Sequence, residues 1–371
     1  MPPATSNPAI ERWDAFCDGL KTSGREILSS AEGLDEVTQA EGLRYLTRLL
    51  RSGIERFIEY WDPLDPFLAV TYNERLKWGL DNPDSIYSIS AVDGRYEYEI
   101  AGNVGTVPYF NLTSAEMGTN ARQVTTGFLD GSDVTADAAG NFTVRVGGAE
   151  RNQNWLRLLP GSNTVMLRQT FGDRSLEKEM SVRIRLVSEV GADRPLMLAQ
   201  VLDRATKAEA FVAHTGRTFL NLADLIRGNV NGLPEVDENM MKAIGGDPNY
   251  FYYWSAFEVT HEQALLIHLP EIPECDNWGL CLYDYWLESL DYTRAPINVN
   301  KFTSTPNPDG SVTIVIAHRR PQGGTWLSTR DHVFGNMMFR WSRARKKVAP
   351  RTALVRLDAI DWPNVLQRWK D

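Results

Sequence analysis

The sequence is poor in the residues that build metal sites and disulfide frameworks. Its 371 residues include only three cysteines and five histidines. Cys17, Cys275 and Cys281 form no CxxC pair and no Cys–His ligand pattern, and no two histidines are spaced as HxH or HxxxH. We therefore expect reduced cysteines and no metal site.

Long apolar runs and clustered basic residues are also missing. No stretch approaches the roughly 18 continuous apolar residues of a membrane-spanning helix. The N-terminal MPPATSNPAIERWDAFCDG lacks the basic start and apolar segment of a signal peptide. The formal net charge is −9, and the one basic run, RARKK at 343–347, is interpreted as a solvated turn. These absences predict a cytoplasmic protein with neither a membrane nor a nucleic-acid partner.

Motifs for organic cofactors are absent too. The sequence has no P-loop and no GxGxxG after a strand-like segment, while GNVNG and IGGDPN are typical of loops. We expect no cofactor.

Hydrophobic periodicity divides the chain into helical and strand-like parts. In the second of two N-terminal helical segments, one apolar stripe is expected from Leu43, Leu46, Leu50, Ile54, Phe57 and Ile58. Residues 85–112 alternate apolar and polar side chains, with a hairpin signal at Asp93-Gly94. Helical periodicity returns at about 192–244, strand-like segments resume at Tyr250, and a short helix is expected after Trp362.

This order of elements predicts a mainly β fold with helical additions, of the α+β class. We expect two β-sandwich or jelly-roll-like units, an N-terminal helical pair and a helical segment between the units. The expected domains are an N-terminal helical segment at 1–60, a β-sandwich-like domain at 61–190, a helical connector at 191–245 and a jelly-roll-like C-terminal domain at 246–371.

Two stretches of the sequence echo each other. NWLRLLPGSNTVMLRQ begins at Asn154, and TWLSTRDHVFGNMMFRW begins at Thr325. When Gly140 is aligned with Gly310, NFTVRV falls on SVTIVI, and two short gaps align the Trp-Leu pairs and the arginines that end the last strand. A duplicated strand-loop-strand unit explains this. Two β-meanders that came to look alike are the alternative.

Only the second copy carries histidines. His318 and His332 stand where the first copy has Gly148 and Gly161. Period two along SVTIVIAH places His318 on the inward face that Ile316 also occupies. We predict a catalytic site at His332 and His318, and structural histidines bonded to the backbone are the alternative.

LYDYWLESLDY, residues 282–292, would supply the partners of these histidines. Glu288 or Asp291 would orient one imidazole and raise its basicity. Flat rings suit small organic molecules, and the expected substrate-binding residues are Trp286, Tyr292, Trp326, Tyr283 and, for a carboxylate or sulfate, Arg340. Carboxylates at strand ends are also common turn formers, and a structural ion pair would explain both Arg340 and Arg168.

Several segments resemble the bacterial family called domain of unknown function 1214. They are LYDYWLESLDY, NPDGSVTIVIAHRRP and TWLSTRDHVFGNMMFRW, and DNPDSIYSISAVDG is similar to the start of such proteins, which often carry a preceding module called domain of unknown function 1254. The resemblance covers most of the chain beyond residue 60. It implies a β-sandwich module followed by a jelly-roll-like module, and no reaction. Relatives tend to have Asn before Trp-Leu, where this chain has Thr325.

The favoured function is a cofactor-independent enzyme of the hydrolase or lyase type. It would act on a small apolar or glycosidic metabolite by histidine and carboxylate acid–base chemistry. The alternative is a non-catalytic protein that binds a small molecule or carbohydrate, or assembles as a homo-oligomer, on tandem β-sandwiches. A metal-dependent enzyme with scattered His and Asp ligands is a third hypothesis.

Overall fold

The computed structural model describes residues 7–120, 122–190, 195–244 and 246–369. Contacts between residues divide the chain into two compact units. The first unit comprises Met1–Leu76 and Ser85–Leu220, and the second comprises Lys77–Asp84 and Asn221–Asp371. Where the sequence suggested four segments, the N-terminal helices thus belong to the same unit as the first set of strands.

Helices form where apolar residues recur at helical spacing. They are α1 (Pro8–Ser29), α2 (Glu36–Ile54) with a following π-helical turn (Glu55–Glu59), α3 (Leu198–Arg227) and α4 (Glu238–Ala243). α1 and α2 begin with side-chain caps, since Asn7 and Asp35 each accept a hydrogen bond from a backbone N–H of the first turn. None of the helices in the described residues combines the length and apolar character that crossing a bilayer requires.

The buried face of α2 differs from the predicted stripe. Leu43 is exposed, and the most buried large residues are Tyr45 and Leu49. The reason is a close approach to α3, because a Cβ on Gly53 would lie 2.9 Å from the backbone oxygen of Ala208. The helix therefore turns its glycine-containing face, rather than its most apolar one, toward its neighbour.

The strands of the first unit form two sheets around an apolar core. They are β1 (Ala69–Tyr72), β2 (Ser85–Ala91), β3 (Tyr98–Asn103), β4 (Tyr109–Met117), β5 (Gln123–Asp130), β6 (Asn141–Val146), β7 (Trp155–Leu156), β8 (Thr164–Thr170) and β9 (Ser181–Leu186). The sheet orders are β1-β2-β8-β4-β5 and β7-β6-β3-β9. Ile100, Leu112, Val144 and Val165 meet in the core, as period-two alternation on each strand requires.

The hairpin predicted at Asp93-Gly94 is wrong. β2 and β3 belong to different sheets, so this turn joins the two layers instead of two paired strands. Glycine is required there because a Cβ at Gly94 would lie 1.8 Å from the backbone oxygen of Leu159. A close backbone approach and a hairpin turn leave the same signal in the sequence.

The described residues of the second unit form eight strands and a short C-terminal 3-10 helix (Trp362–Trp369), where a short helix was predicted. The strands are β10 (Tyr250–Glu258), β11 (Gln263–Leu269), β12 (Asn277–Tyr283), β13 (Asn298–Asn300), β14 (Val312–Ala317), β15 (Thr325–Ser328), β16 (Phe334–Ser342) and β17 (Arg351–Arg356). They form sheets β10-β16-β12-β13 and β15-β14-β11-β17. The fold is mostly β with a few helices, of the α+β class, as predicted.

The two units order their strands in the same way. If β2 to β9 are matched in sequence with β10 to β17, both sheet orders of one unit become those of the other. The two units also share a parallel pairing. In each, the short Trp-Leu strand pairs in parallel with the preceding strand, at β6–β7 and at β14–β15. The duplication inferred from one strand-loop-strand unit thus extends to eight strands.

The basic run at 343–347 lies between β16 and β17, in the turn that its composition predicted. It is matched by carboxylates of the same unit. The ion pairs are Arg343–Asp276, Arg345–Glu274, Lys346–Glu271 and Lys347–Glu235.

Candidate functional site

The tryptophans of the two Trp-Leu pairs make the same hydrogen bond in both units. Trp155 Nε1 donates to the backbone oxygen of Gly147 at 2.9 Å, and Trp326 Nε1 donates to that of Ala317 at 3.0 Å. Each indole therefore ties its short parallel strand to the end of the preceding strand. This role is independent of any ligand.

The side chain before each Trp-Leu pair also accepts a hydrogen bond from a backbone N–H in both units. The backbone N–H of Thr135 donates to Asn154 Oδ1 at 2.8 Å, and that of Thr305 donates to Thr325 Oγ1 at 3.1 Å. Thr325, which stands where the first copy has Asn154, thus makes one of the equivalent hydrogen bonds with its hydroxyl. It loses the two bonds to backbone oxygens that Asn154 Nδ2 makes.

Trp326 lies apart from the predicted histidine site. Its ring is half-buried against an apolar cluster formed by Ala264, Leu266, Val315, Ala317 and Leu357, next to Trp362 and Trp369 of the C-terminal helix. Trp326 is paired with Val315, whereas His318 continues the face of Ile316. The two side chains therefore leave the sheet on opposite faces and cannot line one cavity.

His318 is held by three polar neighbours. Its Nε2 lies 2.7 Å from the backbone oxygen of Val259, and its Nδ1 lies 3.1 Å from Thr329 Oγ1 and 4.0 Å from Asp331 Oδ1. A backbone oxygen only accepts, so Nε2 carries a proton, and Nδ1 shares a hydrogen bond with the threonine hydroxyl. The ring of exposed His261 lies against it at 4.0 Å between centroids. These contacts fix the position of the imidazole.

His332 follows a turn with an unusual backbone. Arg330 and Asp331 have φ angles of 53° and 65°, the left-handed region that costs a side chain free energy. The turn brings His332 Nδ1 within 2.9 Å of the oxygen of Thr329 and 3.1 Å of that of Arg330. Nδ1 therefore donates, and the lone pair of the neutral ring lies on Nε2. Because Thr329 contacts both rings, the structure brings His318 and His332 together.

In the first unit, carboxylates occupy the space of the two histidines. A Cβ on Gly148 would lie 2.9 Å from the carboxyl group of Glu97, and one on Gly161 would lie 2.9 Å from Glu116 Oε2. The two copies therefore differ in chemistry as well as in side-chain size.

A second group of polar residues lies on one face of the sheet β10-β16-β12-β13. Tyr283 pairs with Asn336, Cys281 with Met338 and Gly279 with Arg340, so their side chains share a face. The opposite face carries the apolar core, in which Trp278, Phe339 and Trp341 contact one another. We call Asp81, Cys281, Tyr283, Asn336 and Arg340 the polar cluster, and each is buried.

Burial dominates the electrostatics of the polar cluster. It raises the pKa of Tyr283 well above its usual value, although the guanidinium of Arg340 acts in the opposite direction. Burial also raises the pKa of Cys281, and the carboxylate of Asp81 adds to that effect. Arg340 Nη2 donates to the backbone oxygen of Leu80 at 3.0 Å, and its Cζ lies 6.0 Å from the Tyr283 ring. Tyrosine and cysteine are therefore held neutral here.

The loop after β12 contributes the fully buried Glu288 and Trp286. Asp284 shapes this loop, because its Oδ1 accepts from the backbone N–H of Trp286 at 2.9 Å and from that of Glu288 at 3.0 Å. Asn336 Nδ2 donates to the backbone oxygen of Asp284 at 2.7 Å. Four predicted site residues, Tyr283, Trp286, Glu288 and Arg340, thus belong to the polar cluster or to the loop beside it.

The segment 77–84 completes the polar cluster from a distant part of the sequence. Asp81 accepts from Ser289 N at 2.8 Å and from Ser289 Oγ at 2.7 Å. Lys77, also buried, donates from Nζ to the oxygens of Ser289 and Leu290. Asp81 and Lys77 were not among the site residues predicted from the sequence. The one signal was DNPDSIYSISAVDG, whose first residue is Asp81.

A strained contact lies beside these bonds. Leu80 and Leu287 have φ angles of 62° and 63°, and the N–H of Leu80 donates to the oxygen of Leu287 at 2.9 Å. Branched apolar residues rarely adopt this conformation, and such strain concentrates at functional sites.

The other two predicted residues lie near the edge of this region. Asp291 accepts from the N–H and hydroxyl of Thr293, and the hydroxyl bond is the main cause of its lowered pKa. Lys77 Nζ lies 4.5 Å from the centroid of the Tyr292 ring. Among the described residues, no three His, Cys, Asp or Glu side chains converge as metal ligands would.

Comparison with known families places both histidines and most of the polar cluster in one matched module. The model described as "Protein of unknown function (DUF1214)" matches residues 257–345. The chain belongs to the DUF1214 family. The matched stretch runs from the end of β10 to the turn after β16, and the DUF1214 module contains the polar cluster except Asp81. The preceding module remains a prediction.

A solved structure shares the whole fold of this DUF1214 protein. The crystal structure of an uncharacterized protein from Burkholderia cenocepacia is 37% identical, with a TM-score of 0.91 over 94% of this chain and 98% of that chain. A Vibrio parahaemolyticus protein is 11% identical, with a TM-score of 0.46 over 85% of this chain and 98% of that chain. None of the curated proteins matches the chain.

Proposed function

We propose that the second unit binds a small molecule rich in hydroxyl or carbonyl groups at the polar cluster. The observation that carries this proposal is a pair of buried polar atoms. Tyr283 Oη and Asn336 Oδ1 are fully buried, and neither atom has a partner that meets hydrogen-bond geometry among the described residues, although the guanidinium of Arg340 lies close enough to Tyr283 to lower its pKa. Each such atom costs about 1–3 kcal/mol, and a ligand that pairs with both would recover that free energy.

The chemistry of the two atoms narrows the ligand class. Because burial keeps the phenol of Tyr283 neutral, its hydroxyl can donate a hydrogen bond at neutral pH. Asn336 Oδ1 can accept a hydrogen bond from the ligand, because the bond from Nδ2 to the backbone oxygen of Asp284 fixes the orientation of the amide. A molecule with an accepting oxygen beside a donating hydroxyl satisfies both atoms, which favours sugars and other polyols over purely apolar compounds.

A thermal-shift panel of monosaccharides tests this proposal. At a concentration 100-fold above Kd, binding stabilises the protein by about 2.7 kcal/mol, which raises the melting temperature measurably. Tyr283→Phe should abolish the shift. Tyr253→Phe, in the same sheet on the opposite face, should leave it unchanged.

A crystal structure of the sugar-free protein provides the opposing outcome. If a single ordered water bonds both Tyr283 Oη and Asn336 Oδ1, and no sugar shifts the melting temperature, the atoms are satisfied by solvent and the proposal is wrong.

A second candidate function is acid–base catalysis of a hydrolase or lyase type at His332. It is favoured by the way Thr329 and Arg330 orient that ring, with its lone pair on Nε2. Chromogenic p-nitrophenyl esters and glycosides would serve as substrates. His332→Ala should then remove turnover while the melting temperature stays within about 2 °C, whereas equal rates in both proteins would exclude His332 as the base.

A further inference from the structure

A second, separate feature lies in the first unit, where α2 ends. Its last turn widens into the π-helical turn at Glu55–Glu59, and Arg56 extends from this turn. Single π-helical turns are uncommon and occur often at functional sites. They persist there because the widened turn places a side chain where an α-helix would not.

Arg56 has few partners for a charged side chain. Its Nη2 donates to Thr164 Oγ1 at 3.3 Å, at the start of β8, and its Cζ lies 5.3 Å from the ring centroid of Phe57. Within residues 7–120, 122–190, 195–244 and 246–369, no carboxylate pairs with it. Thr164 Oγ1 uses its own proton to bond Asn163 Oδ1, so it presents its lone pairs to the guanidinium.

The surroundings of Arg56 are enclosed but not sealed. Burial lowers the pKa of Arg56 to about 10, and only Tyr72 acts in the opposite direction. The side chain nevertheless keeps part of its surface in contact with solvent. Because Arg56 is only partly buried, an ion from solution can reach its guanidinium and replace lost hydration.

Three other arginines of the first unit pair with carboxylates. Arg217 bonds Glu26, and Arg145 and Arg185 both pair with Glu99. These three are largely exposed or only partly covered, so their need for a counter-charge is smaller. An enclosed cation without an acidic partner is costly unless an anion accompanies it.

We propose that Arg56 binds the carboxylate of a small aromatic or apolar acid in the first unit. A single guanidinium matches one negative charge and offers two parallel donors, which fits a carboxylate better than a phosphate dianion. The ring of Phe57 beside the guanidinium, together with Tyr72, which acts on the pKa of Arg56, would contact the apolar part of the acid. This site is independent of the polar cluster and of the function proposed for it.

The test is titration calorimetry of the full chain with sodium benzoate at low salt. Benzoate should bind, whereas benzamide, which has the same shape without the charge, should not. Arg56→Gln should weaken benzoate binding at least about tenfold, as expected for a lost charge-assisted bond. Arg183→Gln, on the exposed side of β9, should change it less than about twofold.

Several outcomes overturn the assignment. They are the absence of benzoate binding to the unaltered protein, equal binding by Arg56→Gln, and tighter binding of inorganic phosphate than of benzoate. If Arg56→Gln fails to fold, Arg56→Lys decides, since a lysine keeps the charge but lacks the paired donors. We then expect a folded protein with benzoate binding weakened about tenfold, and unchanged binding would refute a carboxylate held by both donors.

Discussion

Replacement of Asp81 by alanine should destabilise the second unit strongly. Asp81 is 6% exposed and accepts two short hydrogen bonds from Ser289. The substitution removes the acceptor and leaves the backbone N–H of Ser289 without a partner, while its hydroxyl can rotate to another acceptor.

The magnitude follows from those two bonds. A hydrogen bond to a charged group contributes about 1.5–3 kcal/mol, so the loss of two such bonds in Asp81→Ala should lower the free energy of unfolding by about 3–6 kcal/mol. Asp81→Asn keeps an acceptor for the N–H and should cost about 1–2 kcal/mol. Ser289→Ala removes one donor and should cost about 1 kcal/mol. The double variant should show a coupling of about 1–2 kcal/mol.

Urea unfolding followed by tryptophan fluorescence measures these losses. Trp278, Trp286 and Trp341 are all buried in the second unit and report on it directly. The reasoning is refuted if Asp81→Ala costs less than about 1 kcal/mol, or if Asp81→Asn costs as much as Asp81→Ala. Either result would mean that the segment 77–84 is held by its backbone bonds alone.

Three further predictions concern the framework. Trp155→Phe and Trp326→Phe each remove one indole hydrogen bond and should each cost about 1–2 kcal/mol in urea unfolding, and a clearly larger loss for one would contradict equivalent anchors. Burial lowers the pKa of His268, so its contribution to stability is complete above pH about 6.5 and is lost as the pH falls through the folded-state pKa. His268→Phe should flatten the fall in melting temperature on acidification, and an unchanged slope would contradict this. Gly94→Ala should lower the free energy of unfolding by more than about 2 kcal/mol in urea, because the added Cβ would clash with a backbone oxygen. Gly310→Ala should cost about 1 kcal/mol, because Gly310 has a φ of +83° but open space around it. Equal losses for the two variants would refute the steric argument.

The duplicated fold could be predicted from sequence because it leaves local signals. Alternation marks each strand, and the Trp-Leu anchors fix the alignment of the two copies. The structure extends that match to all eight strands and to the indole hydrogen bonds. Periodicity did not predict which face of α2 is buried, since Gly53 sets that contact and a glycine adds nothing to an apolar stripe.

The candidate site could be predicted only in part, because long-range contacts leave no local trace. His318 and His332 were expected to lie close together because both belong to the same repeated unit, and in the structure both rings contact Thr329. Tyr283 and Arg340 were selected for their chemistry, but their meeting with Asp81 depends on a segment about two hundred residues away along the chain. Trp326 was predicted to bind substrate beside the histidines, whereas its ring packs against the apolar cluster on the face of Val315.

The discontinuous second unit has a consequence for how the protein is made and dissected. Residues 77–84 leave the ribosome long before their partners in the loop after β12, so the second sandwich can complete itself only by capturing a segment already synthesised. A recombinant fragment limited to residues 257–345 would lack the residues that bond Ser289 and Leu290. The missing eight residues could then be supplied as a separate peptide. The affinity of this peptide for the fragment would measure how strongly segment 77–84 binds to the rest of the second unit.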